Sequence, residues 1–104
     1  MIENLDAHNF AGCLRTEFQA HVSEAIRQPL ELIEVKELNY SPGLEQFSLI
    51  FTGSLTPVLE QRVYCLEHQE LGALQLFLVP IGTDSEGKKM RYEVAFSRFR
   101  RGEK

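Results

Sequence analysis

The chain has 104 residues, of which 43% are hydrophobic and 25% charged, and its formal net charge is −4. A chain of this length and composition is expected to form one soluble globular domain, spanning residues 1–104, that folds without disulfides or a structural metal. The first residues have no basic or apolar leader pattern, and no apolar run approaches the roughly 20 residues that span a bilayer, so a cytoplasmic protein is expected.

The charge is distributed unevenly along the chain. Seven of the 11 basic residues lie at or after Lys88, together with only two acids, Glu93 and Glu103. A basic end can bind phosphates. On an acidic body, however, such an end more often solvates the terminus or pairs with an acidic surface, so nucleic-acid binding is not favoured.

One short helix is predicted near residues 5–11. Asp6 suits its N-cap, and Gly12 suits a left-handed stop. Leu5 and Phe10 are expected to hold the helix on the body of the protein. A helix of two turns or fewer has no independent stability, so this one must depend on tertiary packing.

Six strands follow the helix. They are predicted near residues 15–22, 29–38, 45–53, 62–67, 72–81 and 89–97. In the second strand the alternation slips between Leu32 and Ile33, which predicts a β-bulge. The mixed apolar spacing there leaves a helix open as an alternative, although Val35 and the preceding Pro29 favour a strand.

The most hydrophobic stretch of the chain is residues 74–81. It is apolar on both faces, so it is predicted to lie at the centre of the core. Pro80 cannot donate to a strand ladder, so this strand is expected to end there or to reach a sheet edge. Five aromatic residues at strand spacing are also expected in the core: Phe47, Phe51, Phe77, Tyr92 and Phe96.

Strands joined by short turns predict the fold class. The pattern is typical of an all-β, mainly antiparallel sheet that forms a small six-stranded barrel or sandwich. A turn is expected at Pro42-Gly43. The basic C-terminal tail, residues 98–104, is expected to be frayed or bound to a partner.

Four segments resemble a small bacterial domain family of unknown function. They are residues 47–53 (FSLIFTG), 64–68 (YCLEH), 76–82 (LFLVPIG) and 91–93 (RYE). The chain is similar to this family over nearly its whole length, including the Leu-Glu-His corner and the Leu-Phe-Leu-Val-Pro-Ile-Gly strand end. One departure is Arg62-Val63, where relatives more often carry a glycine before the tyrosine, so this strand is expected to begin differently from theirs if that glycine forms a turn.

This resemblance implies a role in a larger assembly. Members of the family often occur beside genes for fibre proteins of the phage-tail-collar type. The resemblance therefore implies an accessory role in a tail-like or surface-fibre system, with a fibre or tail-collar-type protein as the partner. It implies no catalytic residues.

The pair Glu67-His68 is the strongest candidate for chemistry. A carboxylate beside an imidazole is a combination used in general base catalysis. Adjacent residues of a strand, however, point to opposite faces. His68 is therefore expected to cap the turn into Leu71 and Gly72.

Metal and thiol chemistry are not favoured. Cys13 and Cys65 are far apart and form no Cys-x-x-Cys pair, so both are expected to be buried, reduced thiols. The three histidines, His8, His21 and His68, lack the spacing of metal ligands, and no cofactor is expected.

The segment 82–87 contains glycines and precedes Lys88. It lacks the spacing of a phosphate-binding loop and the helix that must follow one, so a hairpin loop is expected. The acids Asp84 and Glu86 within it fall well short of a calcium-binding loop.

The preferred function is non-enzymatic. We expect an interaction or structural accessory protein with a protein partner, or a second copy of itself, and without membrane contacts. The candidate interface comprises Tyr40, Phe99, Arg98, Arg100 and Arg101. The alternative is a small β-barrel that binds a small-molecule ligand, which would need an interior that its Leu and Phe residues leave unfilled. An enzyme would need titratable groups clustered in a cleft, and the sequence arranges none.

Overall fold

A computed structural model of the chain describes residues 5–38 and 43–99. Its elements are α1 (Ala7–Ala11), β1 (Glu17–His21), β2 (Arg27–Leu38), β3 (Leu44–Gly53), β4 (Arg62–His68), β5 (Gly72–Thr83) and β6 (Met90–Phe99). The prediction of an all-β, antiparallel fold with one short N-terminal helix is confirmed, and β2 is a strand rather than a helix. Within these residues no helix is long and apolar enough to cross a membrane.

The six strands form one antiparallel sheet that closes into a ring in the order β1-β2-β3-β6-β5-β4. The pairing is uneven, so the ring is not a regular barrel. β3 and β6 pair over ten residues, from Leu44 opposite Phe99 to Gly53 opposite Met90. β1 and β4 pair over only two, and this short ladder is the seam that closes the ring.

Alternate side chains of the strands fill the interior of the ring. The largest fully buried side chains are Phe10, Phe18, Leu30, Leu32, Phe47, Leu49, Phe51, Leu66, Leu78 and Tyr92. Phe18 and Phe51 meet edge to face with their ring centroids 5.2 Å apart, a preferred aromatic geometry. Burial of each such side chain contributes about 1.5–3 kcal/mol to folding.

The helix α1 closes one end of the ring. Asp6 is its N-cap: the Asp6 carboxylate accepts a hydrogen bond from the Asn9 backbone N–H, and the Asn9 side chain accepts one from the Asp6 N–H. Phe10 is fully buried, with its ring centroid 6.1 Å from that of Phe47 and 5.8 Å from that of Phe96. The helix was predicted to depend on tertiary packing, and Phe10 is the residue that anchors it.

The end of α1 differs from the prediction. Gly12 has a right-handed backbone, with φ −69°, so it is not a left-handed stop. The left-handed residue is Arg15, with φ 67°, where the chain turns toward β1. Because Gly12 keeps helical angles, the turn can continue to Cys13, whose N–H donates to the Phe10 carbonyl at 2.8 Å.

The loop between β3 and β4 is held by two tyrosine hydroxyls. Leu59 is 3% exposed, and its backbone N–H donates to the Tyr92 hydroxyl at 2.8 Å. The Tyr64 hydroxyl donates to the Glu60 carbonyl, also at 2.8 Å. Both tyrosines thus bury their rings and satisfy their polar ends on the same loop.

The β5 strand is buried on one face only, whereas the sequence predicts burial on both. Its inward residues are Leu74, Leu76 and Leu78, whereas Phe77 points outward and is 47% exposed. The prediction that Phe77 belongs to the core is wrong, and so is the prediction of a strand buried on both faces. Successive side chains of a strand alternate between faces, and the outer face of this hairpin has no cover among the described residues.

Two irregularities of the sheet lie where the sequence indicates them. The register of β2 against β3 shifts between Leu32 and Glu34, which confirms the predicted bulge. In β5 the pairing with β4 stops at Leu78, and the register against β6 shifts just after Pro80, which pairs with Tyr92, so the strand is irregular here but the predicted sheet edge is absent. The strand does not end there, because it continues to Thr83.

The last strand is longer than predicted. Arg98 and Phe99 belong to β6 and pair with β3, so the predicted basic tail at 98–104 is wrong for its first two residues. Residues 100–104 and the turn predicted at Pro42 lie outside the described residues.

Candidate functional site

A cleft of about 640 Å³ lies beside the seam between β1 and β4. Side chains from both sides of the seam form its walls: Thr16, Glu17 and Gln19 before and in β1, and Glu67, His68 and Glu70 at the end of β4 and in the turn that follows. The cleft thus contains the Glu67-His68 pair. It also contains Thr16, to which no local sequence motif points.

Both ring nitrogens of His68 are engaged. The side chain is 8% exposed. Nδ1 accepts hydrogen bonds from the backbone N–H groups of Glu70 at 3.0 Å and Leu71 at 3.3 Å. Nε2 lies 2.8 Å from the Thr16 hydroxyl oxygen. The prediction that His68 caps the turn into Leu71 is confirmed.

These bonds determine where the proton of the neutral imidazole lies. Because Nδ1 accepts two N–H groups, we assign the proton to Nε2, which donates it to Thr16 Oγ1. The Thr16 hydroxyl in turn donates to the Cys13 carbonyl at 2.6 Å. In a catalytic hydroxyl–imidazole pair the hydroxyl donates to the imidazole. Here the direction is reversed, which is the arrangement of a structural clamp.

Glu67 faces away from His68, as predicted, and pairs across the seam with His21. Its Oε1 lies 2.9 Å from His21 Nε2. The hydrogen bond from His21, followed by the charge of that imidazole, lowers the pKa of the Glu67 carboxyl below its ordinary value. Because half of the Glu67 side chain is exposed, this pair adds little to stability.

The two cysteines are free thiols in different environments. Cys13 is buried, as predicted, and burial together with the carboxylate of Glu70 raises the pKa of its thiol. Cys65 is half-buried on the outer face of β4, so the prediction of a buried thiol is correct only for Cys13. Because thiols react as thiolates, Cys13 is poorly suited to act as a nucleophile.

The three histidines do not converge. His8 is exposed on α1, His21 ends β1 and His68 lies in the seam. Within residues 5–38 and 43–99, no group of three His, Cys, Asp or Glu side chains is placed to hold a metal ion.

The segment between β5 and β6 is a hairpin loop, as predicted. Asp84 organises it, because its Oδ1 accepts from the backbone N–H groups of Lys88 at 2.9 Å and Lys89 at 3.4 Å. These hydrogen bonds, that from Lys88 foremost, lower the pKa of the Asp84 carboxyl. The chain continues directly into a strand.

Of the predicted interface residues, the structure describes the side chain of Arg98 alone. Arg98 Nε donates to Glu45 Oε1 at 3.0 Å, and its Nη2 donates to the Leu5 carbonyl. This side chain joins β6 to β3 and to Leu5, which precedes the N-cap of α1. The backbone of Phe99 pairs with Leu44, while Tyr40, Arg100 and Arg101 lie outside the described residues.

The sequence did not predict an exposed apolar pair that lies on the outer face of β4 and β5. Val63 and Phe77 are direct cross-strand partners, exposed by 52% and 47%. The signal that could have found them is the run of leucines at 74, 76 and 78, which assigns even positions of β5 to the interior and Phe77 to the outside.

Comparison with known proteins identifies one family. The family model described as "Domain of unknown function (DUF6916)" matches residues 5–96. The chain has no match among the curated proteins and none among the solved structures.

Proposed function

We propose that this chain, which belongs to the DUF6916 family of domains of unknown function, is a non-enzymatic interaction module. Its contact surface is the outer face of the β4–β5 hairpin. The observation that carries this proposal is the pairing of Val63 with Phe77, both half exposed. Scattered apolar side chains are normal on a protein surface, but neighbouring ones on a regular element are typical of contact surfaces.

The surface around this pair is arranged like a protein–protein interface, with apolar residues at its centre and polar residues beside them. Cys65 and Val79, the next outward residues of the two strands, are half-buried, and Ile81 is 37% exposed. Polar residues follow toward the turn, with Gln75 exposed opposite Cys65. Specific interfaces combine an apolar centre with a polar rim in the same way.

The hairpin presents this surface rigidly. β4 and β5 pair over seven residues, from Arg62 opposite Leu78 to His68 opposite Gly72. Their inward side chains, such as Leu66 and Leu76, are buried in the interior of the ring. A preorganised surface loses little conformational entropy when a partner binds.

The direction of the hydrogen bonds around His68 supports the non-enzymatic part of the proposal. The imidazole caps a turn through Nδ1 and donates to Thr16 through Nε2. Neither nitrogen is left to accept a proton from a substrate. The interior of the ring is occupied by large side chains, which gives the alternative of a ligand-binding barrel no support inside the ring.

The partner to test first is a fibre protein of the phage-tail-collar type, because the family resemblance implies one. Tagged protein is used to pull down partners from the native host, with detection by mass spectrometry. We compare the wild type with the double variant Val63→Thr/Phe77→Gln and with Ile26→Thr, a control at an apolar residue that is 54% exposed in the β1–β2 turn.

The wild type and the Ile26→Thr control are expected to recover the same partner, and the double variant to lose it. The melting temperatures of all three proteins should agree within a few degrees, because the substituted side chains are exposed. Retention of the partner by a folded double variant contradicts the assignment of this surface. Recovery of background proteins alone by the wild type contradicts the proposed function.

A further inference from the structure

A row of four side chains crosses the outer face of the ring, away from the Val63–Phe77 surface. Glu17 on β1 lies opposite Glu31 on β2, which lies opposite Thr52 on β3, which lies opposite Arg91 on β6. Neighbouring strands are about 4.8 Å apart, so the row is roughly 14 Å long. Its first three residues also line a cleft of about 560 Å³, whose rim carries Lys88 and Lys89.

The Arg91 end of the row carries one buried polar atom that has no partner among the described residues. The Nε of Arg91 is buried and makes no hydrogen bond, and the guanidinium forms no ion pair with any residue in 5–38 or 43–99. Beside it, Thr52 is 7% exposed, and its hydroxyl keeps some access to the cleft and has no partner in the same part of the chain. Buried polar groups are nearly always satisfied, by protein, solvent or ligand.

The opposite end of the row is acidic. Glu17 and Glu31 are directly paired across β1 and β2, and like charges in that position destabilise a sheet. Arg15 approaches Glu31 at 3.7 Å, but its side chain is 71% exposed and that of Glu31 is 43% exposed. Glu17 accepts a hydrogen bond from the half-buried side chain of Gln19. Exposed contacts of this kind are weak, so a bound cation can compete with them.

We propose that this row binds a small zwitterion, with its anionic group at Thr52 and Arg91 and its ammonium group at Glu17 and Glu31. A guanidinium offers a carboxylate or a phosphate two parallel hydrogen bonds, and a threonine hydroxyl offers a third. Two carboxylates side by side suit an ammonium group, which has three N–H donors. This site is independent of the proposed interaction surface on β4 and β5.

The spacing of the row sets the length of the ligand. Glu31 and Arg91 flank Thr52 at two inter-strand distances, so their Cα atoms are roughly 10 Å apart. A ligand that lies between their charged ends therefore needs charged groups several ångströms apart, at less than this Cα separation of roughly 10 Å. An α-amino acid is too short for this spacing, whereas an ω-amino acid with a chain of four to six carbons spans it.

The experiment titrates isotope-labelled protein with a graded set of probes and follows the backbone amides by NMR. The zwitterions are glycine, 4-aminobutanoate and 6-aminohexanoate, and the single-charge controls are hexanoate and hexylammonium. A fourth zwitterion, 6-aminohexyl phosphate, distinguishes a phosphate from a carboxylate as the preferred anion. We expect saturable shifts at residues 17, 31, 52 and 91, and at least about tenfold tighter binding of 6-aminohexanoate than of either single-charge control.

Variants assign the two ends of the ligand. Arg91→Gln and Glu31→Gln should each weaken the binding of 6-aminohexanoate at least about fivefold. Lys36→Gln, at an exposed position farther along β2, serves as the control and should leave it unchanged. Arg91→Lys keeps the charge without the planar donor pair, and an intermediate affinity is expected.

Three results overturn the proposal. They are the absence of saturable shifts with any zwitterion, equal binding of zwitterions and single-charge controls, and wild-type affinity in folded Arg91→Gln or Glu31→Gln variants. Thermal melting of every variant is measured alongside, and Thr52→Val provides a second test at the centre of the row that preserves the shape of the side chain. Failure of this proposal does not contradict the proposed interaction surface on β4 and β5, since the pull-down variants change neither Arg91 nor Glu31.

Discussion

His68 and Thr16 are 52 residues apart in the sequence, yet Nε2 of the first lies 2.8 Å from Oγ1 of the second. Their contact joins the turn after β4 to the residue before β1. It lies next to the two residue pairs, Gln19–Glu67 and Ala20–Leu66, that close the ring. A side-chain clamp therefore reinforces the shortest ladder of the sheet.

Removal of the His68 side chain is expected to destabilise the protein. His68→Ala leaves two backbone N–H groups without their acceptor and removes the hydrogen bond that Nε2 donates to the Thr16 hydroxyl, at a cost of about 1–3 kcal/mol in the free energy of unfolding measured in urea. His68→Asn should recover part of this loss, because its side-chain oxygen can replace Nδ1 as an acceptor. The companion variant Thr16→Val tests the contact itself, since the double variant should show a coupling of at least about 0.5 kcal/mol. Strict additivity would mean that the contact contributes nothing.

Two phenylalanines distinguish the inside of the sheet from the outside. Phe51→Ala is expected to cost about 3–5 kcal/mol, because Phe51 is fully buried against Phe18. Phe77→Ala should cost no more than about 1 kcal/mol, because its side chain is half exposed. Chemical denaturation of both variants gives the comparison, and equal losses would place Phe77 in the core.

Arg98 is expected to stabilise the fold. Arg98→Gln removes the charged hydrogen bonds to Glu45 and to the Leu5 carbonyl, and bonds of this type are worth about 1.5–3 kcal/mol when partly buried. The loss should appear in the free energy of unfolding. Lys36→Gln is the matched control and should change it little, since Lys36 is exposed and has no partner among the described residues. A variant at Arg98 as stable as this control would return that residue to the candidate interface.

The thiols should differ in reactivity. Cys13 is buried and the pKa of its thiol is raised, so the native protein should protect it from iodoacetamide at pH 8. Cys65 is half-buried on an outer face and should be alkylated faster. Mass spectrometry of peptides from a timed reaction measures both rates, with urea-unfolded protein as the reference. Faster labelling of Cys13 would contradict its position in the core.

The carboxyl of Glu67 should titrate below its reference pKa of 4.5, because His21 donates a hydrogen bond to its ionised form. A pKa that is lower in the folded state favours folding above 4.5, and this contribution is lost as the pH falls through the folded-state value. NMR titration of the Glu67 side chain should therefore give a midpoint below 4.5. His21→Gln should move that midpoint upward, and an unchanged midpoint would show that His21 is not the cause.

Short-range signals predicted much of the fold. The slip between Leu32 and Ile33 predicted the bulge of β2, and Pro80 precedes a register shift between β5 and β6. Phe77 was misplaced because local hydrophobicity measures how apolar a segment is, whereas exposure depends on which face the sheet covers. The leucines at even positions of β5 carried the better signal.

The candidate sites were only partly predictable, because local sequence patterns do not contain the registers of the sheet. His68 was correctly predicted to cap its turn, because the acceptor and the N–H groups lie within three residues of each other. Its contact with Thr16 depends on the β1–β4 register, which no local pattern contains. The row from Glu17 to Arg91 draws one residue from each of four strands and exists only once their registers are set.

The uneven ladder lengths also bear on how the protein moves. Five ladders join the six strands in a row, and the short ladder of two residue pairs between β1 and β4 closes this row into a ring. Detachment of β1 from β4 gives up those pairs and a few side-chain bonds, while the other ladders stay intact. Amides near Gln19 and Leu66 should therefore exchange through a partial opening that lies well below global unfolding in free energy. A detached β1 can also pair with the free edge of β4 on another molecule. Strand exchange between copies is therefore expected at this seam.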